Sequence, residues 1–243
     1  MRREEFLDRI RAEAAHAQGL VPATPATRPA EAGAEAAAVR ERSRRETESL
    51  LARFRTEAER VGVSVRRAAG IAEAGEIVLE LAAAREVRRV ATWGRRALGL
   101  GSAVAARLRQ AGIEVAEASP DEIAEGDRTA LCRRLAEADL GLTGADLAIA
   151  ETGTLVLASG AGRGRGVSLL PPYHVALFGR DQLVASLAEA GVVLEGWEAA
   201  RPPGMGANVV FVTGPSRTAD IELTLTRGVH GPREVHAVFV DSL

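Results

Sequence analysis

The chain contains no lysine: all 31 of its basic residues are arginine. That removes Schiff-base chemistry and the phosphate-binding lysine of a P-loop from consideration. A single cysteine, Cys132, excludes an internal disulfide and any cluster or zinc site held by several cysteines of this chain. Aromatic residues make up only 3% of the sequence, so a core must be assembled from the Ala, Val, Leu and Ile that dominate its 47% apolar content. Strong charge of either sign is absent too, and a formal net charge of −2 argues against nucleic acid as the main partner. No apolar run approaches the roughly 18 residues of a membrane-spanning helix. The opening Met1-Arg2-Arg3-Glu4-Glu5-Phe6-Leu7-Asp8 mixes both charges and lacks the apolar segment of a secretory signal. The expectation is a soluble cytoplasmic protein with one sizeable core.

What is present is an alternation of apolar runs and amphipathic segments. Residues 1–18 place Phe6, Ile10 and Ala14 on one face of a short helix, and residues 19–33 (GLVPATPATRPAEAG) read as an extended Pro/Ala linker. Residues 1–33 would then form a helical arm that rests on a partner subunit or folds back on the main body. Residues 34–61 read as one long polar helix with a weak stripe of Val39, Leu50, Leu51, Phe54, Ala58 and Val61, closed by Gly62. From there strands are expected at 63–65, 87–93 and 113–116, and helices at 71–85, 102–111 and 129–138, with a glycine-punctuated loop at 94–101. Later come a helix at 182–190 capped by Asp181 and closed by Gly191, a strand at 208–212, a short helix at 218–223 and a last strand at 235–240. Such alternation predicts an α/β domain over 34–243: an open, mainly parallel sheet flanked by helices.

The stretch from Gly141 to Phe178 carries the most information. Apolar runs at 145–150 and 155–158 flank the turn Glu151-Thr152-Gly153-Thr154, and a glycine-dense loop, Gly160 to Gly166, precedes Pro171-Pro172-Tyr173-His174 and the run Val175–Phe178. Runs bounded this way read as buried strands. A carboxylate between two of them is costly unless paired or used, so Glu151 is a candidate nucleophile, general base or acceptor for the Gly153 and Thr154 amides.

Ligands of open α/β sheets bind at the carboxyl ends of the strands. Loops expected there are Trp93 to Arg96, Glu151 to Thr154, Gly160 to Gly166 and Thr213 to Ser216. Arg163 and Arg165 offer guanidinium forks to a carboxylate or phosphate. Thr213-Gly214-Pro215-Ser216-Arg217-Thr218 combines glycine, hydroxyls and an expected helix start, which suits either an anion held by Gly214, Ser216 and Arg217 or an ordinary cap by Ser216. His174 and His230 sit in stiff turns and are candidates for a proton relay. No clear third ligand accompanies them, so no metal site is read. Cys132 reads as an inert small residue and His236 as a strand histidine. Asp146, Asp220, Glu222 and Asp241 are alternative acids.

Four motifs occur together and in order: Thr143-Gly144-Ala145-Asp146 running on to Ala148-Ile149-Ala150-Glu151-Thr152-Gly153-Thr154-Leu155-Val156-Leu157; Ser168-Leu169-Leu170-Pro171-Pro172 with His174; Gly214-Pro215-Ser216 with Thr218-Ala219-Asp220-Ile221-Glu222; and Gly228-Val229-His230-Gly231-Pro232. In these the chain resembles the LUD-domain family, in its single-domain lactate utilization protein C type, over about residues 35–243. The resemblance implies a fold similar to the sugar-phosphate isomerase and CoA-transferase superfamily. It also implies a part in oxidising L-lactate to pyruvate beside two partner proteins that carry iron–sulfur clusters, with no such cofactor on this chain. Homo-oligomers are compatible with it. The resemblance assigns no catalytic roles, so Glu151, Thr152, Gly153, Thr154, His174, Gly214, Ser216 and His230 are carried over as motif positions. Two other readings stand beside it: a stand-alone enzyme on a CoA-transferase-like scaffold with Glu151 as nucleophile, and a small-molecule-binding regulator.

Overall fold

A computed structural model of the chain describes residues 4–5, 7–9, 29–118, 128–200, 205–219 and 225–242. The first half runs α1 (Pro29–Arg45), α2 (Thr47–Arg60), β1 (Val63–Ala68), α3 (Ile71–Ala84), β2 (Arg89–Trp93), the short α4 (Arg95–Leu98), α5 (Ser102–Gln110), β3 (Glu114–Ala118) and α6 (Arg128–Ala136). The centre holds β4 (Leu140–Gly144), β5 (Leu147–Ile149), β6 (Thr154–Gly160), the single-turn α7 (Gly166–Leu169), β7 (Tyr173–Phe178) and β8 (Leu183–Val184). The chain then continues through α8 (Leu187–Ala200), β9 (Met205–Val212), β10 (Arg217–Ala219), β11 (Leu225–Arg227) and β12 (Glu234–Val240).

Six strands form one sheet in the order β1-β12-β7-β4-β2-β3, every neighbouring pair parallel. All six residues of β7 are buried, as a central strand covered on both faces requires. With few aromatics available, three of them are spent together: Phe54 of α2, Phe178 of β7 and Phe239 of β12 are fully buried, with ring centroids 5.1 and 5.4 Å apart. Each removes enough apolar surface from water to contribute about 2–3 kcal/mol, and the trio fastens α2 to the middle of the sheet.

The expected α/β alternation is present, and the structure adds a layer to it. The run at 145–158 does not enter the main sheet. Its strands β5 and β6 form an antiparallel hairpin in a second sheet, ordered β8-β5-β6-β9. The main-sheet strand in this region is β4, at Leu140–Gly144, which the sequence pattern does not reveal. Its two glycines hide the strand pattern, yet Gly141 is obligatory, because a Cβ there would lie 1.9 Å from the Val167 carbonyl oxygen. The outer face of the second sheet is closed by α1 and α8, with Ala36, Val39, Ala190 and Val193 packed on Leu147, Ile149, Val156 and Val184.

Several boundaries differ from the sequence expectation, each for a local reason. Helix begins at Pro29, inside the expected linker, because proline suits a first helical position. The single helix at 34–61 is two helices broken at Glu46. Residues 4–5 and 7–9 are helical, whereas the arm positions Phe6, Ile10 and Ala14 lie outside the described residues. Asp181 does not cap a helix at 182–190. It pairs with Arg44 (2.8 Å), the chain forms β8, and the helix starts at Leu187, where the Ser186 hydroxyl accepts the Glu189 amide (3.2 Å). Gly191, the expected end, lies within α8. The loop at 94–101 contains α4 and a 3-10 turn at Gly99–Gly101. The expected helix at 218–223 is a strand where it is described: Arg217–Ala219 pairs antiparallel with Leu225–Arg227, and 220–224, with Asp220 and Glu222, lie outside the described residues. No helix among the described residues is long and apolar enough to cross a membrane.

Candidate functional site

At the carboxyl ends of β2 and β4 two glycine loops touch. The Gly94 amide donates to the Gly162 carbonyl (2.8 Å), and a Cβ on Gly94 would sit 3.5 Å from the Gly162 Cα. Gly162, at φ +70°, turns the chain so that Arg163 comes back over the sheet. Its guanidinium lies 5.1 Å from the Trp93 ring centre and is bonded to the Asp146 carboxylate, whose other oxygen accepts the Ala158 amide (2.7 Å). Arg165, two residues on, is exposed and has no ion pair among the described residues. Together with Trp93, Ser159, Ser168 and Val210, the two arginines line a narrow, partly open cleft with a cavity of about 10 Å³. A volume of that size holds about one water.

The cleft combines an apolar floor, two hydroxyls and two guanidiniums at the edge where parallel sheets bind ligands. Arg163 already has a carboxylate and a ring. Arg165 is therefore the cation open to a small anion. Sequence reasoning selects Arg163 and Arg165 but not what lies around them. In the sequence Trp93 stands out only as a strand end that opens a loop, and Asp146 only as a motif position and one of four alternative acids.

His174 lies deeper. It is fully buried in β7, and its Nε2 shares a hydrogen bond of 2.9 Å with the Thr143 hydroxyl of β4. Nδ1 has no partner. Burial pushes its pKa down to about 4, with the neighbouring His236 adding to the fall, so the ring is neutral near pH 7. His236 is also lowered, mainly by burial, against the opposing pull of its bond to Glu234 (3.3 Å).

The remaining candidates gather elsewhere, around the C-terminal turn of α2. Glu151 is exposed in its turn rather than lodged between strands, and its Oε2 accepts the Leu187 amide (3.0 Å), capping α8 and not the Gly153 and Thr154 amides. Gly153, at φ +63°, sits so close to α2 that a Cβ would lie 2.2 Å from the Ala58 nitrogen. A chain of hydroxyls, Thr152 to Thr154 (2.7 Å) to Thr213 (2.8 Å), ties this turn to the next loop. There Gly214 packs against the Val61 carbonyl, to which Arg217 also donates (2.8 Å). Ser216 gives its amide to Pro232 O (2.8 Å) and receives the His230 amide on its hydroxyl (3.3 Å). This loop follows β9 of the second sheet and opens a strand, so no helix start exists there to hold an anion. The structure thus unites Arg163 and Arg165. It places Thr152, Gly153, Thr154, Gly214, Ser216, Arg217 and His230 in the joint between α2, the second sheet and the β10–β11 pair, and Glu151 at the start of α8. Among the described residues no group of three or more His, Cys, Asp or Glu is placed to hold a metal ion.

Comparison with known proteins agrees with this architecture. The family model for the LUD domain matches residues 51–240. Lactate utilization protein C of Halalkalibacterium halodurans is 44% identical over 108 residues, which cover 44% of this chain and 46% of that protein. Lactate utilization protein C of Shouchella clausii is 39% identical over 104 residues, covering 43% and 44%. The match thus spans about half the length of these curated relatives. Among solved structures, the crystal structure of a DUF162 family protein from Deinococcus radiodurans aligns with a TM-score of 0.54 at 25% identity, over 79% of this chain and 97% of that one.

Proposed function

This chain belongs to the LUD-domain family, and we propose that it serves lactate utilisation by holding a small monocarboxylate, L-lactate or pyruvate, in the cleft between Trp93 and the glycine loop. The observation that carries this reading is Arg165, a cation without an acidic partner among the described residues, beside a second guanidinium already fixed over an aromatic ring. A planar fork matches a carboxylate with two parallel hydrogen bonds, and the apolar wall of Leu157 and Val210 suits a methyl group. The names of the relatives supply the substrate class. Oxidation of the hydroxy acid releases two electrons. One cysteine cannot ligate an iron–sulfur cluster, so in this reading they pass to clusters on partner proteins.

Calorimetric titration of the full chain with L-lactate, pyruvate, CoA and a sugar phosphate tests this. Saturable binding of lactate or pyruvate, weakened roughly tenfold or more by Arg165→Ala, is expected. Binding of CoA or the phosphate alone would move the function to acyl or phosphate chemistry.

A further inference from the structure

Among the described residues His174 is the one fully buried histidine, and its Nδ1 is without a partner. A buried polar atom of this kind calls for a physical account, because folded proteins rarely leave one unsatisfied. Its surroundings supply one. His174 is in register with Gly141, and on that face of the sheet Gly141 is pressed by the Val167 carbonyl and the Pro171 ring. The roof over His174 and Thr143 is therefore the same segment, 160–170, that carries Arg163, Arg165 and Ser168 into the cleft.

That segment is a strap with little apolar anchorage. Glycine occupies positions 160, 162, 164 and 166. Val167 is its only fully buried apolar side chain, while Leu169 and Leu170 remain 37% and 47% exposed. Polar contacts hold the rest: Gly94 bonds to Gly162, Gly160 to Arg163, and the Arg163 guanidinium to Asp146 beside the Trp93 ring. Segments with few buried apolar contacts open at low cost. Opening would also enlarge the site, since a space of about 10 Å³ admits a water but not a whole three-carbon acid.

We infer that the 160–170 strap opens to admit a 2-hydroxy or 2-oxo carboxylate, and that His174 Nδ1 hydrogen-bonds its C2 oxygen while Arg165 holds the carboxylate. This rests on the reading of the cleft as a carboxylate site and makes His174 its specificity-determining residue. The ring is suited to both oxidation states. With Nε2 accepting from the Thr143 hydroxyl, Nδ1 carries a proton to donate to a keto oxygen; with the hydroxyl turned round, Nδ1 accepts from an alcohol. A carboxylic acid of equal length without a C2 oxygen leaves Nδ1 unpaired and is disfavoured.

Nitrogen-15 NMR of the histidine-labelled full chain, which holds four histidines, reads this directly. Saturating pyruvate or L-lactate is expected to shift the His174 Nδ1 resonance, and propionate is not. In parallel, native protein is expected to bind pyruvate roughly tenfold or more tighter than propionate, and His174→Leu, of similar volume, to bind the two alike. A His174 resonance that stays fixed while Trp93 emission reports binding overturns the role of His174 and leaves the carboxylate cleft standing. A bound water that saturates Nδ1 with and without ligand overturns that role equally. Silence of both probes overturns the cleft reading and this inference together. Should His174→Leu fail to fold, the measurements on native protein decide.

Discussion

Arg163 rests its guanidinium 5.1 Å from the centre of the Trp93 ring while holding the Asp146 carboxylate. One residue of the glycine loop thereby clamps the end of β2 to the segment that follows β4. Arg163 and Arg165 look alike in sequence, but this contact divides their roles. Arg163→Ala should lower stability as well as ligand affinity, because it strands the Asp146 charge, which is mostly shielded from solvent. Arg165→Ala should lower affinity alone. Denaturant midpoints measured beside ligand titrations separate the two; equal stability losses would contradict this division.

Gly141→Ala should be severely destabilising. Its Cβ would meet the Val167 carbonyl at 1.9 Å, and relieving that contact would displace Val167, the one fully buried apolar side chain of the strap. Overpacking of this kind costs about 1–3 kcal/mol or more. Gly153→Ala adds an unfavourable φ of +63° to a 2.2 Å clash with Ala58, and a loss at least as large is expected. Thermal melts of both variants check this.

Glu151 caps α8 through the Leu187 amide. Glu151→Ala should cost about 1 kcal/mol, the usual value of a lost cap, and Glu151→Gln should leave lactate or pyruvate affinity unchanged. Loss of acyl transfer from CoA thioesters in Glu151→Gln, with folding intact, would instead establish the nucleophile reading.

Stability should fall as the pH drops through the range between the two pKa values of His174. In the fold the ring titrates near 4, whereas in the unfolded chain it titrates near 6.5. Below about 6.5 the unfolded chain binds a proton that the native state refuses, so the native state loses ground until about pH 4, by about 3 kcal/mol in all. His236, also lowered, acts in the same direction. His174→Leu should flatten the profile in this window. A midpoint for urea unfolding that does not change between pH 7 and 5 would contradict the burial of a neutral ring.

The α/β alternation is legible in the sequence because the helices keep their period and several strands read as apolar runs: Val104 and Leu108 face inward along α5, and β12 is such a run. The strand β4 is not, since Gly141 is dictated by the strap rather than by strand propensity and Gly144 breaks the apolar pattern at its end. The second sheet is hidden for a related reason. The runs in β5 and β6 are as apolar as those of the main sheet, and only the helices α1 and α8 on their outer face decide which sheet they join. At the site, the arginines can be chosen by chemistry alone. Their partners cannot, because Trp93, Asp146 and Arg163 are brought together by a left-handed glycine at 162. Glu151 misleads for a similar reason: flanking apolar runs suggest burial, but a hairpin turn lifts it to the surface.

In the proposed function the cleft beside Trp93 binds a small carboxylate through Arg165. The chain has two tryptophans, so a Trp197→Phe background isolates the emission of Trp93. Titrating that protein with pyruvate should give a saturable change in emission that Arg165→Ala shifts roughly tenfold or more to higher concentration. An emission unchanged by pyruvate and L-lactate alike, or an affinity indifferent to Arg165→Ala, would contradict it.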